Sequence, residues 1–274
     1  MDESRRRAIL SAYRKRSNLA DVAEYCLRRG RERILGVDLS IFDKTIEFYA
    51  EVYGQQITRR EALSRALDKA QLKDAWFRSP RDSVESKMRF YEEIHHYPFV
   101  QPYIYRLGGY RWYGNMVKHL NCPSILEYGC GSAVLTEYLV GKFPHATFTV
   151  ADIPSVTLEF VKWKKQKLGL PYIVLTIGSG SAGIPLVDLY DLIICEDVLE
   201  HTPNPLEIVQ AFARHLNPGG VLVVNFLVGR GGYNLLEAAD QRDSVKEFLA
   251  ESLVPLKAID VPHGNEGLYA KDTD

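Results

Sequence analysis

Apolar residues in the first third of the chain recur at three- and four-residue spacing, and from Cys122 onward short unbroken apolar runs alternate with helically spaced ones. The first pattern predicts helices alone over residues 4–95. Ile9, Leu10 and Tyr13 open one. Asn18 or Asp21 caps a second, which carries Leu19, Val22, Ala23, Cys26 and Leu27 until Gly30 stops it. A third is expected from Asp38 to Ser40 through Ile41, Phe42, Ile46, Phe48 and Tyr49 to Gly54. Thr58 followed by Glu61 reads as a capping box ahead of Leu63, Ala66, Leu67 and Ala70. Pro80 and Ser83 then set off a helix with Val84, Met88, Tyr91 and Ile94. Helices without a strand among them make a cap or a bundle.

The second pattern predicts strands at Ser124–Tyr128, Thr147–Ala151, Tyr172–Ile177, Tyr190–Cys195 and Val221–Phe226. Helices fill Leu135–Phe143, Ser155–Leu168 and Pro205–Leu216 between them. Strands that are apolar throughout and separated by helices belong to a parallel sheet covered on both faces. Asn217-Pro218-Gly219-Gly220 turns the chain into the fifth strand. A helix over Leu235–Leu253 and two late strands, Leu256–Val261 and Leu268–Lys271, joined through His263 to Gly267, suggest an antiparallel edge. The expected class is α/β: a seven-stranded, mostly parallel sheet domain over residues 121–274, a helical cap over 1–95 and an aromatic connecting segment over 96–120.

That segment and the end of the helix before it hold Phe90, Tyr91, Tyr97, Phe99, Tyr103, Tyr105, Tyr110, Trp112 and Tyr113, broken by Pro98, Pro102, Gly108 and Gly109. Rings with polar tips suit either a wall around an organic ligand or a packing seam between cap and sheet. His95 and His96 stand at its head, and adjacent histidines on a helix point in different directions.

The densest chemistry follows the first strand. In Glu127-Tyr128-Gly129-Cys130-Gly131-Ser132-Ala133 the glycines allow a tight turn and close approach of a ligand to the backbone. Asp152 ends the second strand about twenty residues on, where a carboxylate suits the hydroxyls of a ribose. Glu196-Asp197-Val198-Leu199-Glu200-His201 follows the fourth strand, whose start is Tyr190-Asp191. A dinucleotide fingerprint requires a third glycine three residues past Gly131, and Val134 stands there.

Together with Leu216-Asn217-Pro218-Gly219-Gly220, these features resemble the class I S-adenosylmethionine-dependent methyltransferases over residues 115–274, with Ala133 in place of the last glycine of the family's first motif. The resemblance implies a Rossmann-like sheet and S-adenosylmethionine as methyl donor, leaving S-adenosylhomocysteine. It implies that Glu127, Gly129 and Gly131 line the methionine portion, with Tyr128 among the contacts, and that Asp152 holds the ribose with Ile153 beside the adenine. The loop Thr176 to Ser181 has no carboxylate for the adenine and offers Ser179. Glu196 and Asp197 fall beside the sulfonium, and Tyr105 or Arg106 close over the amino-acid end. A base is needed only for an acceptor that carries a proton, and His201, Glu200, His95 and Tyr103 are the candidates.

Asp197, Glu200 and His201, with His263 as a fourth, also have a spacing that can hold Mg2+. The expectation is nevertheless a site without metal. Cys26, Cys122, Cys130 and Cys195 lack the paired spacing of a zinc site and read as reduced thiols.

Charge changes the picture in one respect. Residues 1–120 carry 23 Lys and Arg against 16 Asp and Glu, and residues 121–274 carry 11 against 19, so the halves are +7 and −8. The expected acceptor is a small organic molecule. The basic front half favours an alternative, methylation of RNA or protein, and a silent domain that binds the cofactor without turnover is another. No apolar run approaches the roughly 20 residues of a membrane span. The N-terminus lacks the apolar core of a signal peptide, so a cytoplasmic protein is expected.

Overall fold

The computed structural model describes residues 3–14, 27, 29, 32, 36–80, 83–105, 110–178, 186–226, 234–257 and 266–273. The expected caps Asn18 and Asp21, Cys26, and the connection around His263 lie outside them. Seven strands form one sheet: β1 Ser124–Tyr128, β2 Thr147–Asp152, β3 Tyr172–Thr176, β4 Tyr190–Cys195, β5 Leu216–Asn225, β6 Val254–Lys257 and β7 Glu266–Ala270. Their spatial order is β3-β2-β1-β4-β5-β7-β6. The first five run parallel, and β7 is antiparallel to both β5 and β6.

Successive residues of a strand face opposite sides, and both sides are covered. Leu126, Ile193 and Val224 pack with Ile208, Phe212 and Leu249 on one face. Ile125, Val150, Ile194 and Val223 pack with Met116, Leu135 and Leu158 on the other. At the far end of the sheet from the glycine turn, Asp191 ties three strands together. Its carboxylate accepts from Ser124 N and Oγ at 2.9 and 2.7 Å and from Asn217 Nδ2 at 2.9 Å. The acidic start of β4 is therefore a structural pin.

The helices are α1 Glu3–Arg14, α2 Asp43–Tyr53, α3 Arg59–Leu67, α4 Lys69–Arg78, α5 Val84–Glu93, α6 Tyr97–Tyr105, α7 Arg111–Leu120, α8 Val134–Val140, α9 Val156–Leu168, α10 Pro205–His215, α11 Leu236–Asp240 and α12 Arg242–Ser252, with 3₁₀ turns at Leu39–Phe42 and Leu199–His201. Thr58 caps α3 with the expected box, its hydroxyl accepting from Glu61 N and its own amide donating to Glu61 Oε2. The helices before β1 share their cores with the sheet. Ile9 of α1 packs beside Met116 and Val117 of α7, Trp76 and Met88 join the α10 face, and Phe48, Tyr49 and Phe99 enclose Phe160 of α9.

Several boundaries differ from expectation, among them β6, which starts at Val254 instead of Leu256, and β7, which starts at Glu266 instead of Leu268. Residues 235–253 form two helices, broken at Gln241. β5 starts at Leu216, which pairs with Tyr190, and the pairing shifts register between Tyr190 and Leu192 to absorb the Asn217–Gly220 turn. The aromatic segment contains two helices despite its prolines. Pro102 lies inside α6 and cannot donate to the carbonyl of Pro98. The buried hydroxyl of Thr45 takes that carbonyl at 2.9 Å, so the helix continues at little cost.

Candidate active site

A cavity of about 730 Å³ opens at the C-terminal ends of β1, β2 and β4, roofed by α6 and α7. β1 lies between β2 and β4: the chain runs from β1 through β2 to β3 on one side and then crosses over to β4 and β5 on the other. That crevice is where open α/β sheets bind ligands. Helical phase decides what α6 contributes. Tyr97, Val100, Gln101, Ile104 and Tyr105 face the cavity, and Phe99 and Tyr103 face the core between α2 and α9. Tyr105, Tyr110 and Tyr138 form a row of rings with centroids 5.3 and 5.6 Å apart.

The turn after β1 is fixed to β2, because the amides of Gly129 and Cys130 donate to the Ala151 carbonyl at 2.7 and 3.1 Å. Gly129 and Gly131 are left-handed, at φ 72 and 52°. A Cβ on Gly129 would lie 2.1 Å from a methyl of Val198, so glycine here lets the turns after β1 and β4 touch. Gln101 reaches in from α6 and accepts from the amide of Ser132. Behind the turn, Lys164 of α9 donates to the Ser132 carbonyl at 2.7 Å and pairs with Glu137.

Four carboxylates surround this turn. Asp152 accepts from Gly131 N at 2.6 Å and Ile153 N at 2.8 Å. Burial pushes its carboxyl up to about 6, with those amides pulling the other way. Glu127 follows Ile125 on the face that α8 covers, and accepts from Thr136 Oγ1 at 2.5 Å and Thr136 N at 3.1 Å. Burial pushes it up to about 7 against those two bonds. Glu196 accepts from the hydroxyl of Tyr113 on α7. Asp197 is exposed, lines the cavity and is left-handed at φ 56°.

Tyr128, Ile153, Tyr105 and His201 also line the cavity. Nδ1 of His201 lies 3.2 Å from the Tyr91 hydroxyl, with the rings 5.5 Å apart. The other three candidate bases do not reach the cavity wall. Glu200 turns into the protein at 1% exposure, with the positive charge of Arg242 in its field. His95 is exposed beside the Tyr53 ring, and the helical phase of α6 sends Tyr103 to the core between α2 and α9. Because Glu200 points away from Asp197 and His201, the three do not converge. Among the described residues no group of three His, Cys, Asp or Glu is placed to hold a metal. Arg106, Ser179 and His263 lie outside the described residues. Cys122, Cys130 and Cys195 are buried free thiols pushed above the usual thiol range by burial.

The sequence reading placed Tyr113 in the aromatic segment without its partner Glu196, and two neighbours of the site escaped it: Gln101 and Asn225. The last accepts the amide of Asp197 and donates to its carboxylate. The helical phase of α6 could have exposed Gln101; neither Asn225 nor the pairing of Tyr113 with Glu196 carries a local signal.

Comparison with known proteins gives a consistent answer. A family described as a methyltransferase domain matches residues 56–231. The ubiquinone biosynthesis O-methyltransferase of Photorhabdus laumondii is 31% identical over 98 residues, 35% of this chain and 39% of that protein. That of Proteus mirabilis is 34% identical over 100 residues, 35% of this chain and 38% of that protein. The matched stretch thus spans about two fifths of the length of these curated relatives. The N-methyltransferase NodS from Bradyrhizobium japonicum in complex with S-adenosyl-L-homocysteine superimposes over 69% of this chain and 99% of its own at 15% identity, with a TM-score of 0.45, a likeness too loose to carry weight.

Proposed function

The chain belongs to the methyltransferase-domain family, and from that membership we propose that it moves the methyl group of S-adenosylmethionine to a small organic acceptor held under α6 and α7. The observation that carries this reading is the meeting of the glycine turn, Asp152, Glu196 and Asp197 around one cavity at the ends of β1, β2 and β4. The residues suit the donor: two left-handed glycines keep the turn low, Asp152 supplies a carboxylate for ribose hydroxyls, and Glu127, Glu196 and Asp197 place negative charge for a sulfonium.

S-adenosylmethionine brings a methyl group already activated by its positive sulfur. The protein's task is then to bind, orient and exclude water. Glu127 and Glu196 are the proposed amino-acid and sulfonium contacts, and Tyr105 closes over that end. Ile153 and Tyr128 give apolar contact. For an acceptor that loses a proton, His201 is the base, oriented by the Tyr91 hydroxyl at 3.2 Å.

Support for a small acceptor comes from the wall itself. Its titratable lining includes the carboxylates Glu127, Asp152, Glu196, Asp197 and Glu207, with Arg214 the one arginine and no lysine among the described lining residues. Such a wall disfavours a phosphate backbone, which is held by lysine and arginine. The rings of Tyr91, Tyr97, Tyr105, Tyr110 and Trp112 instead suit an apolar or aromatic acceptor. The O-methyltransferase relatives point the same way for the acceptor atom. Incubation with methyl-labelled S-adenosylmethionine, a panel of phenols and amines, and separately bulk RNA and protein tests this. Label in the low-mass fraction is expected, and label confined to RNA or protein would overturn it.

A further inference from the structure

We propose that Asn225, at the end of β5, is a positioning residue for the methyl-donor site that acts through Asp197; the inference rests on the donor reading above. Asn225 is 7% exposed and does not line the cavity, so any effect on a ligand has to pass through a neighbour. Both ends of its carboxamide are spent on a single residue. Its Oδ1 accepts the Asp197 amide at 2.6 Å, and its Nδ2 donates to the Asp197 carboxylate at 2.8 Å.

Asp197 needs that grip because its backbone is left-handed at φ 56°, a conformation disfavoured for a residue with a side chain. The kink turns the chain so that Val198 lies against the glycine turn, its methyl 2.1 Å from where a Cβ of Gly129 would stand. Three strand ends are geared in series: β5 through Asn225, β4 through Asp197 and Val198, and β1 through Gly129. Glu196 and Asp197, the residues on either side of the kink's start, both line the cavity. The position asks for an acceptor toward an amide and a donor toward a carboxylate on one short side chain. A carboxamide meets both demands; aspartate and leucine do not.

The test uses the full chain, with Asn225→Leu and the isosteric Asn225→Asp, which keeps the acceptor but sets a second carboxylate against Asp197. In both, KM for S-adenosylmethionine and Kd for S-adenosylhomocysteine should rise about tenfold. The kcat at saturating donor should stay within about threefold. A double-mutant cycle then separates positioning from mere packing. In an Asp197→Gly background, where glycine adopts the kink freely and only the backbone amide is left for Asn225 to hold, Asn225→Leu should cost clearly less donor affinity than it does in the wild type. An equal loss in both backgrounds, or a lowered Tm with unchanged KM and Kd, would overturn the proposal. Should Asn225→Leu not fold, Asn225→Asp runs the same cycle. A wild-type protein that bound no S-adenosylhomocysteine would instead remove the donor reading, and this inference with it.

Discussion

The amide of Gly131 and the carboxylate of Asp152 are 2.6 Å apart, which bonds the turn after β1 to the residue that ends β2. The two features most informative about the donor are thus one hydrogen-bonded unit. It stands at a site whose burial works against the ionised carboxylate.

That conflict fixes a pH dependence. Burial raises Asp152 from an ordinary 3.8 to about 6 and Glu127 from 4.5 to about 7. The folded state therefore holds these protons more tightly than the unfolded one, and their contribution to stability is present at low pH and lost as pH rises through the folded values. The urea midpoint of the ligand-free protein should lose stability from these groups between about pH 4 and 7. Asp152→Asn should remove the lower part of that loss and Glu127→Gln the upper part. Unchanged profiles would contradict the burial of these groups.

Thr136 gives a second handle on Glu127. Its hydroxyl and amide both donate to the ionised carboxylate, at 2.5 and 3.1 Å. Thr136→Val removes the hydroxyl bond, so it should push the Glu127 carboxyl higher still and cost about 1 kcal/mol of stability near neutral pH. The pH midpoint for S-adenosylhomocysteine binding should move in the alkaline direction. Calorimetric titrations across pH check it.

Gly129→Ala places a Cβ at φ 72°, 2.1 Å from a methyl of Val198. The substitution should cost about 1–3 kcal/mol through strain in the turn. Val198→Ala should restore part of that loss in the double variant, because the clash is with a side chain. Thermal melts of the four proteins show whether the two positions couple. Simple additivity would mean that the turns do not press on each other.

Much of the sheet was legible because each strand is a short apolar run between turn signals, buried on both faces. The same holds for the glycine turn and Asp152, whose chemistry is local. The rest depended on distant partners. Gln101 meets Ser132, Tyr113 meets Glu196 and Asn225 meets Asp197 across the fold, and none of the three pairings leaves a spacing in the chain. Pro98 and Pro102 hid α6, since the donor that compensates for Pro102 is Thr45, far back on α2. The Glu200-His201 dipeptide divides between two environments: on a tight 3₁₀ turn, adjacent side chains diverge, Glu200 into the core and His201 to the cavity.

His201 and Tyr91 should separate base chemistry from donor binding. With an acceptor that loses a proton, His201→Ala should lower kcat by roughly 10²-fold or more. Tyr91→Phe should lower it less, by about tenfold, through loss of the orienting bond. Kd for S-adenosylhomocysteine should be unchanged in both. A parallel loss of donor affinity would place His201 in binding.

The most direct test is a calorimetric titration of the purified wild-type protein and Asp152→Ala with S-adenosylhomocysteine. A single saturable site is expected in the wild type, with Kd in the range of roughly 1 μM to 1 mM. Asp152→Ala should bind at least about tenfold more weakly while still melting cooperatively, at a Tm lowered by loss of the bonds to Gly131 N and Ile153 N. No heat in the wild type, or equal affinity in the variant, would contradict a methyl-donor site built on the glycine turn and Asp152.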